Sequence, residues 1–567
     1  MFALKVARAQ TKATTRQMSC ICLATTMIAV LALAAAPALA VDSALTGQVS
    51  SLEEGTMEGV LVSAQQEGSA LRTTVVTDAR GHYAFPSGRL TPGLYKITIR
   101  AVGYELDGDA ITAVMAGEVA RADLKLKKTG NLAAQLTNAD WMASLPEAPQ
   151  RRIIASCTTC HTLQRIVEST YTADGFMTLV PRMMRYGAMS KPNHPQIAPD
   201  RTPTSAPRGD ALSGFATYLA SVNRSAHEDF AFPLKTAARP SGRATRVIVT
   251  EYELPRPDLT EPHDVVVDPQ GSGHVWYSNF GEQTLGELDP KTGKVTEYPL
   301  PLLKPDAPTG SLDLEFDPSG NPWVAMMYQQ AVATLDRKSG KVTTFPLAAE
   351  FQNPKVQIGM LDPRNSDVDG KVWFSEGGSR TLFRLDPKTG KMDHIDQFKD
   401  VPKNVAHAEY GIVSDPQNNI WFFDFADRNV GRTDKATGAT TLFAVPTAAS
   451  RPRRGHMDAE GRITFAEFAA DRVGVMDTKT EQIREWPLPP NFAPYDAVMD
   501  RNREVWTGGM NSDTVVRIDT GSGQSVGYLL PESTNIRRVT VDNSTTPVTF
   551  WVGNNHRGKI IKLEPLD

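Results

Sequence analysis

The strongest constraint on this chain is a repeat. Trp276, Trp323, Trp373, Trp421, Trp506 and Trp551 recur at gaps of 47, 50, 48, 85 and 45 residues. The long gap hides one more unit, where Ile463-Thr464-Phe465 stands in for the Val-Trp-aromatic pattern, so the count is seven. A short way before each aromatic comes an Asp: Asp268, Asp317, Asp362, Asp415, Asp458, Asp500 and Asp542. Most units carry Leu-Asp-Pro-Lys-Thr-Gly-Lys or a variant, followed by a strand such as Val295–Leu300. A period of 40–50 residues with four short strands per unit predicts a seven-bladed β-propeller over residues 246–567.

The seventh unit stops at Leu563, before any outer strand. The segment Val247–Pro255 matches the missing strand, which predicts that it closes the ring and leaves only short edges. Strand starts nearest the axis offer His263, Leu312, Gln357, Tyr410, Arg453, Tyr495 and Arg537. Strand ends offer Asn279, Met326, Glu376, Asp424, Glu467, Gly509 and Asn554. Two polar rings that differ from blade to blade suit a small-molecule ligand in the channel, or solvated channel walls. Glu376, Asp424 and Glu467 fall on consecutive blades. Arg453, Arg454, Arg537, Arg538 and His263 form a basic set.

A chain of 567 residues exceeds one hydrophobic core, so two to four domains are expected. Residues 1–40 read as a signal peptide. Lys5, Arg8, Lys12 and Arg16 precede an apolar run from Ile21 to Ala36, and Ala38-Leu39-Ala40 offers a cleavage site. This predicts export to a periplasm, with no membrane span after cleavage. The mature chain keeps 56 of the 60 basic residues against 64 acidic ones, a net charge of −8, which argues against nucleic acid as a partner.

Residues 44–127 alternate as a small β-sandwich, visible in Gly59–Val62 and Leu94–Ile99. The pattern Thr77-Asp78-x-x-Gly81-x-Tyr83-x-Phe85, Pro92-Gly93-x-Tyr95 and Gly103-Tyr104 resembles the carboxypeptidase regulatory-like (transthyretin-like) domain, a module that is usually a non-catalytic appendage.

Residues 131–225 read as helical. Thr137–Asp140 offers a helix start, and Phe176, Leu179, Val180 and Met183 share one helical face. The mature chain has two cysteines, in Cys157-Thr158-Thr159-Cys160-His161. The spacing predicts covalent haem c, with His161 on the iron. The segment resembles a short class I-like cytochrome c domain. That resemblance implies Met183 as the second axial ligand, with Met184, Met189 and, more weakly, His194 as rivals. It also implies a redox partner protein.

The repeats resemble the virginiamycin B (streptogramin B) lyase family of seven-bladed propellers. The resemblance is carried by Glu261-Pro262-His263-Asp264-Val265, Val275-Trp276-Tyr277-Ser278-Asn279, Leu285-Gly286 and Thr296–Pro301. It implies opening of a cyclic ester by elimination, with a His base and carboxylate-bound Mg²⁺, and it marks Glu261 and His263. The second His is replaced by Arg537, and the second Glu is displaced to Glu282. The expected architecture is therefore multidomain: a small all-β sandwich, an α-helical cytochrome c-like domain and a seven-bladed propeller. The expected function is electron transfer coupled to ligand or partner binding, with lyase chemistry as the alternative.

Overall fold

The computed structural model describes residues 43–198, 207–225, 228–352, 354, 357–376, 381–401 and 405–567. The signal-peptide reading, with Cys20 and Cys22, lies outside them. No described helix is long and apolar enough to cross a membrane.

Six four-stranded antiparallel sheets follow one another from Pro262 to Leu529. A seventh is completed by Ile536–Asp542, Thr549–Asn554, Lys559–Pro565 and the distant strand Val247–Glu253, which pairs with Lys559–Pro565 (Val249 opposite Leu563). First strands of successive blades pack side by side, the seventh against the first. This is a seven-bladed propeller closed by a strand from upstream of blade 1.

The repeat residues have distinct physical jobs. The repeat tryptophans lie buried in the second strand of their blades. Several stack on an aromatic of the fourth strand: Trp276 on Tyr298 at 5.5 Å, Trp323 on Phe345 at 5.6 Å and Trp421 on Phe443 at 5.5 Å. A guanidinium covers many of these rings, as with Arg337 over Trp276 at 5.3 Å and Arg517 over Trp506 at 5.3 Å. The repeat Asp caps the turn between the first two strands. In blades 2 and 6 it also accepts from the indole, Trp323 Nε1 to Asp317 at 3.0 Å and Trp506 Nε1 to Asp500 at 2.9 Å. The Asp-Pro-Lys-Thr-Gly hairpins turn on a left-handed glycine, φ +73° at Gly293 and +72° at Gly390, a conformation that favours glycine.

The closing strand has a second partner. Its free edge pairs with Leu71–Val76, Ile248 opposite Val75. Blade 7 therefore runs on through Leu61–Gln66, Gly93–Arg100 and Ala110–Val114 as one eight-stranded sheet. The alternation read in Leu94–Ile99 places Tyr95 and Ile97 in the sandwich core with Leu45, Val62 and Phe85.

The expected fold class needs correction. Strands make up 43% of the described residues and helices 12%, and residues 131–225 do not form an α-helical cytochrome c-like domain. The helices are α1 (Asn138–Ser144), α2 (Arg151–Ile154), α3 (Gln164–Val167), α4 (Ala173–Met183) and α5 (Asp210–Val222). Two of them are only four residues long. Thr137 and Asp140 do form a capping box on α1. This segment instead caps the propeller, and Ser43–Asp567 is one compact unit. Ala139 N donates to Asn511 O at 2.7 Å, and Lys191 Nζ donates to the Pro257 and Thr260 carbonyls at 2.8 and 3.0 Å. Gln196 Nε2 donates to Gly281 O at 2.9 Å. The segment has an apolar core of its own, around Trp141, Leu163, Phe176, Phe215 and Leu219, and these polar contacts fix it to the propeller surface.

Candidate functional site

The propeller axis is filled rather than open. Arg454 donates to both Asp264 oxygens, at 3.1 and 2.8 Å, and also reaches Asp313. Arg538 donates to Asp264 at 3.1 Å and to Glu315 at 2.6 Å. All five side chains are buried. The basic set read from the sequence divides here, because neighbouring strand residues face opposite ways. Arg454 and Arg538 turn to these acids. Arg453 lies over Tyr495 at 4.0 Å and Tyr410 at 4.7 Å, and Arg537 over Phe280 at 5.3 Å.

His263 is fully buried and both its ring nitrogens are engaged. Nδ1 is 2.7 Å from Asp264 Oδ1, and Nε2 is 3.1 Å from the Tyr495 hydroxyl. Burial pulls its pKa down to about 4, against the opposing pull of Asp264. In this arrangement neither ring nitrogen is left open to a substrate proton. Glu261 is buried with one oxygen unpartnered, and burial pushes it up to about 8 against the charge of Lys191 and Arg537. Lys191, from the cap, already supplies positive charge to this corner. The residues there do not fit a Mg²⁺ ion, which needs several exposed oxygen donors.

Within the cap lies a cavity of about 1080 Å³, walled by the cap's own residues and, from the propeller, by Arg451. Cys157, Cys160 and His161 line it, as do Met183 and Met184. Of the rivals, Met189 is instead fully buried against Phe280, and neither it nor His194 reaches the cavity wall. The cysteines form no disulfide, and burial pushes the Cys157 thiol up to about 11. The ring is held by its own backbone, Nδ1 3.0 Å from Thr162 O. Burial lowers the His161 pKa. The turn carrying these residues is held on the propeller. The Thr158 carbonyl accepts from Asn535 at 3.2 Å and His556 at 3.1 Å, and the Thr159 carbonyl from Arg537 at 3.1 Å.

Sequence reasoning missed the cavity's electrostatics. Arg152, Arg165, Arg182, Lys191 and Arg451 line it, and no carboxylate does among the described residues. None of the five is ion-paired with a described carboxylate. Phe176, Val180, Phe215 and Leu219 supply an apolar wall. One signal was present. Residues 151–195 hold six basic and two acidic residues in a chain with more acids than bases. Arg451, from blade 5, had no such signal.

Glu467 is buried with both oxygens unpartnered, and burial with Glu485 pushes it up from 4.5 to about 8. A carboxyl with a raised folded pKa favours the fold below its ordinary value and withdraws that stability as pH rises towards 8. Glu467→Gln is therefore expected to flatten the fall in urea midpoint between about pH 5 and pH 8. An unchanged slope would mean that Glu467 is ionised in the fold.

The fold and site define a ring-closed propeller whose axis is plugged by ion pairs and whose face carries a helical cap holding a cation-lined cavity. Comparison with known proteins shows what it resembles. The virginiamycin B lyase family matches residues 394–565, and the carboxypeptidase regulatory-like domain matches residues 44–127. No curated protein matches the chain. Among solved structures, selenomethionine-substituted virginiamycin B lyase from Staphylococcus aureus is 21% identical, covering 56% of this chain and 99% of its own, with TM-score 0.46. A streptogramin B lyase is 22% identical, covering 57% and 100%, with TM-score 0.47. A catalytically inactive variant of the S. aureus enzyme with quinupristin is 21% identical, covering 56% and 99%, with TM-score 0.48. The propeller is virginiamycin B lyase-like, joined to a carboxypeptidase regulatory-like domain. The electron-transferring cytochrome c class expected from residues 131–225 is withdrawn together with the helical domain it required.

Proposed function

We propose that this protein binds an anionic ligand with an apolar body in the cavity of its cap, where Arg451 of the lyase-like propeller completes the wall, and that this seat, not the Glu261–His263 corner, is its working site. The observation that carries the reading is the cavity lining: four arginines without ion-pair partners, Arg152, Arg165, Arg182 and Arg451, around an apolar wall. Such a lining attracts an anion and desolvates its body, the combination found in small-molecule sites. The cap decides which chemistry is accessible. Its Lys191 closes the Glu261 corner, whereas His161 and the two thiols stay on the cavity wall.

The test uses the full mature chain and the fluorescent anion anilinonaphthalenesulfonate, with neutral phenylnaphthylamine as control. Saturable binding of the anion is expected. Arg165→Ala and Arg451→Ala should each weaken it about tenfold, in line with about 1.5–3 kcal/mol for a hydrogen bond to a charged group. Equal affinity for the neutral probe, or no effect of either variant, would overturn the reading. Ligand retained from expression is diagnostic too. A tetrapyrrole absorption band surviving denaturation would identify the anion as one held covalently by Cys157 and Cys160. Mg²⁺-dependent opening of a cyclic ester that vanishes in His263→Ala would return the working site to the first blade.

A further inference from the structure

The acids read from the sequence on consecutive blades gather unevenly. In blade 4 the strands Glu409–Ser414 and Ile420–Asp424 pair antiparallel with Glu409 opposite Asp424. Directly opposed residues of two strands project to the same face, so the two carboxylates share one. His407, two residues upstream, turns back so that its Nδ1 lies 2.6 Å from Asp424 Oδ2. Asp427 follows in the turn after the second strand. One donor atom from each of His407, Asp424 and Asp427 lies within 4.8 Å of the other two. Asn429 Nδ2 donates to Asp424 Oδ2 and Asp427 Oδ2, both at 3.1 Å, and holds the two carboxylates side by side.

Two further observations point to a missing partner. His407 is 9% exposed, and its Nε2 has no hydrogen-bond partner. Glu409 is fully buried, and the groups near enough to donate to it, the Ser375 hydroxyl and the Gln397 amide, make no well-formed hydrogen bond with it. A buried carboxylate so placed is costly. Glu376 and Asp424 add like charge beside it. Among the described residues no Lys or Arg is ion-paired with Glu376, Glu409, Asp424 or Asp427.

We propose that His407, Asp424 and Asp427 hold a divalent first-row metal ion, zinc or manganese, with the buried Glu409 adding negative charge behind them. One imidazole among carboxylates suits these ions better than calcium or magnesium, which take oxygen donors alone. The cation neutralises the acids, and Asn429 orients two of them from behind. The site is distinct from the Glu261 corner, and it adjoins the ligand cavity. The Arg451 backbone N donates to Asp427 O at 3.1 Å, and the Arg451 side chain lines the cavity. A bound ion would thus fix the turn that presents Arg451.

The experiment is calorimetric titration of the metal-stripped full chain with Zn²⁺ and Mn²⁺, alongside metal analysis after gel filtration. One ion per chain is expected, with a rise in melting temperature. Asp427→Asn and Glu409→Gln should each lower affinity at least tenfold while the circular dichroism spectrum stays unchanged. The Cys157→Ser/Cys160→Ser double variant, which removes the rival thiol donors, should bind as the wild type does. No binding by the wild type, wild-type affinity in Asp427→Asn, or loss of the ion in the double cysteine variant would overturn the assignment.

Discussion

Arg454→Met is expected to be among the most destabilising single substitutions in this protein, costing about 3–5 kcal/mol, the range for breaking a buried ion pair by removing one partner. Arg454 bridges Asp264 and Asp313 on blades 1 and 2 from its own place on blade 5. Asp264 is held well below the usual carboxylate range chiefly by Arg454, against its burial, while Asp313 is already pushed up to about 8 by burial. Without the guanidinium, two carboxylates remain in a dry axis with Arg538 as their shared cation. Asp264, which Arg454 keeps charged, then takes a proton as Asp313 already does. Its folded pKa now lies above its unfolded value, so the stability it contributes is present at low pH and is lost as pH rises through the new value. The variant should therefore unfold nearer to wild-type urea concentrations at about pH 5 than at about pH 8. A midpoint within about 1 kcal/mol of wild type at both pH values would show that the axial network does not hold the ring.

Val249→Asp should cost a similar amount and remove two parts of the protein together. Val249 is fully buried between Leu563 on one side and Thr74 on the other, against Trp506, Tyr528 and Phe550. A carboxylate there has no cation to meet and bears the several-kcal/mol penalty of an unpaired buried charge. The strand serves as outer strand of blade 7 and as the link to the sandwich sheet. Its loss should therefore open the ring and release the edge Leu71–Val76 at once. Limited proteolysis read by mass spectrometry is expected to show cleavage in residues 44–127 and in the propeller on one time course, whereas Val249→Ile should match wild type. A sandwich that stays protected while the propeller is cut would show that the shared sheet does not couple them.

Much of the local pattern was legible in the sequence. The spacing of the tryptophans, the turn Asp and the Asp-Pro-Lys-Thr-Gly hairpins each report a local requirement: a ring to stack on the fourth strand, a turn to cap, a left-handed residue to turn on. The vacancy after Leu563 and the strand at Val247–Glu253 likewise fit each other by pattern alone. The α-helical cytochrome c-like domain was the error. Helical periodicity in Phe176, Leu179, Val180 and Met183 is real, since Phe176 and Val180 are buried on α4, but Met183 stays 37% exposed. Periodicity says that a helix forms. It does not say how the helices pack on one another, around Trp141, Phe215 and Leu219 here, or which surface they rest on.

The site divides the same way. The sequence by itself marked Cys157, Cys160, His161, Glu261 and His263 as residues with chemistry to offer, and it placed seven blades in order around a ring. Only the tertiary structure decided what those residues can reach. It locked both nitrogens of His263, brought Lys191 to the Glu261 corner and set Arg451 beside the cysteines nearly 300 positions upstream. It also paired Arg454 with Asp264 across 190 residues. A strand or a turn is decided by interactions among neighbours, which the order of residues records directly. A buried charge pair or a cavity wall is assembled by ring closure from blades far apart in the chain, and its energy depends on which groups lose water together.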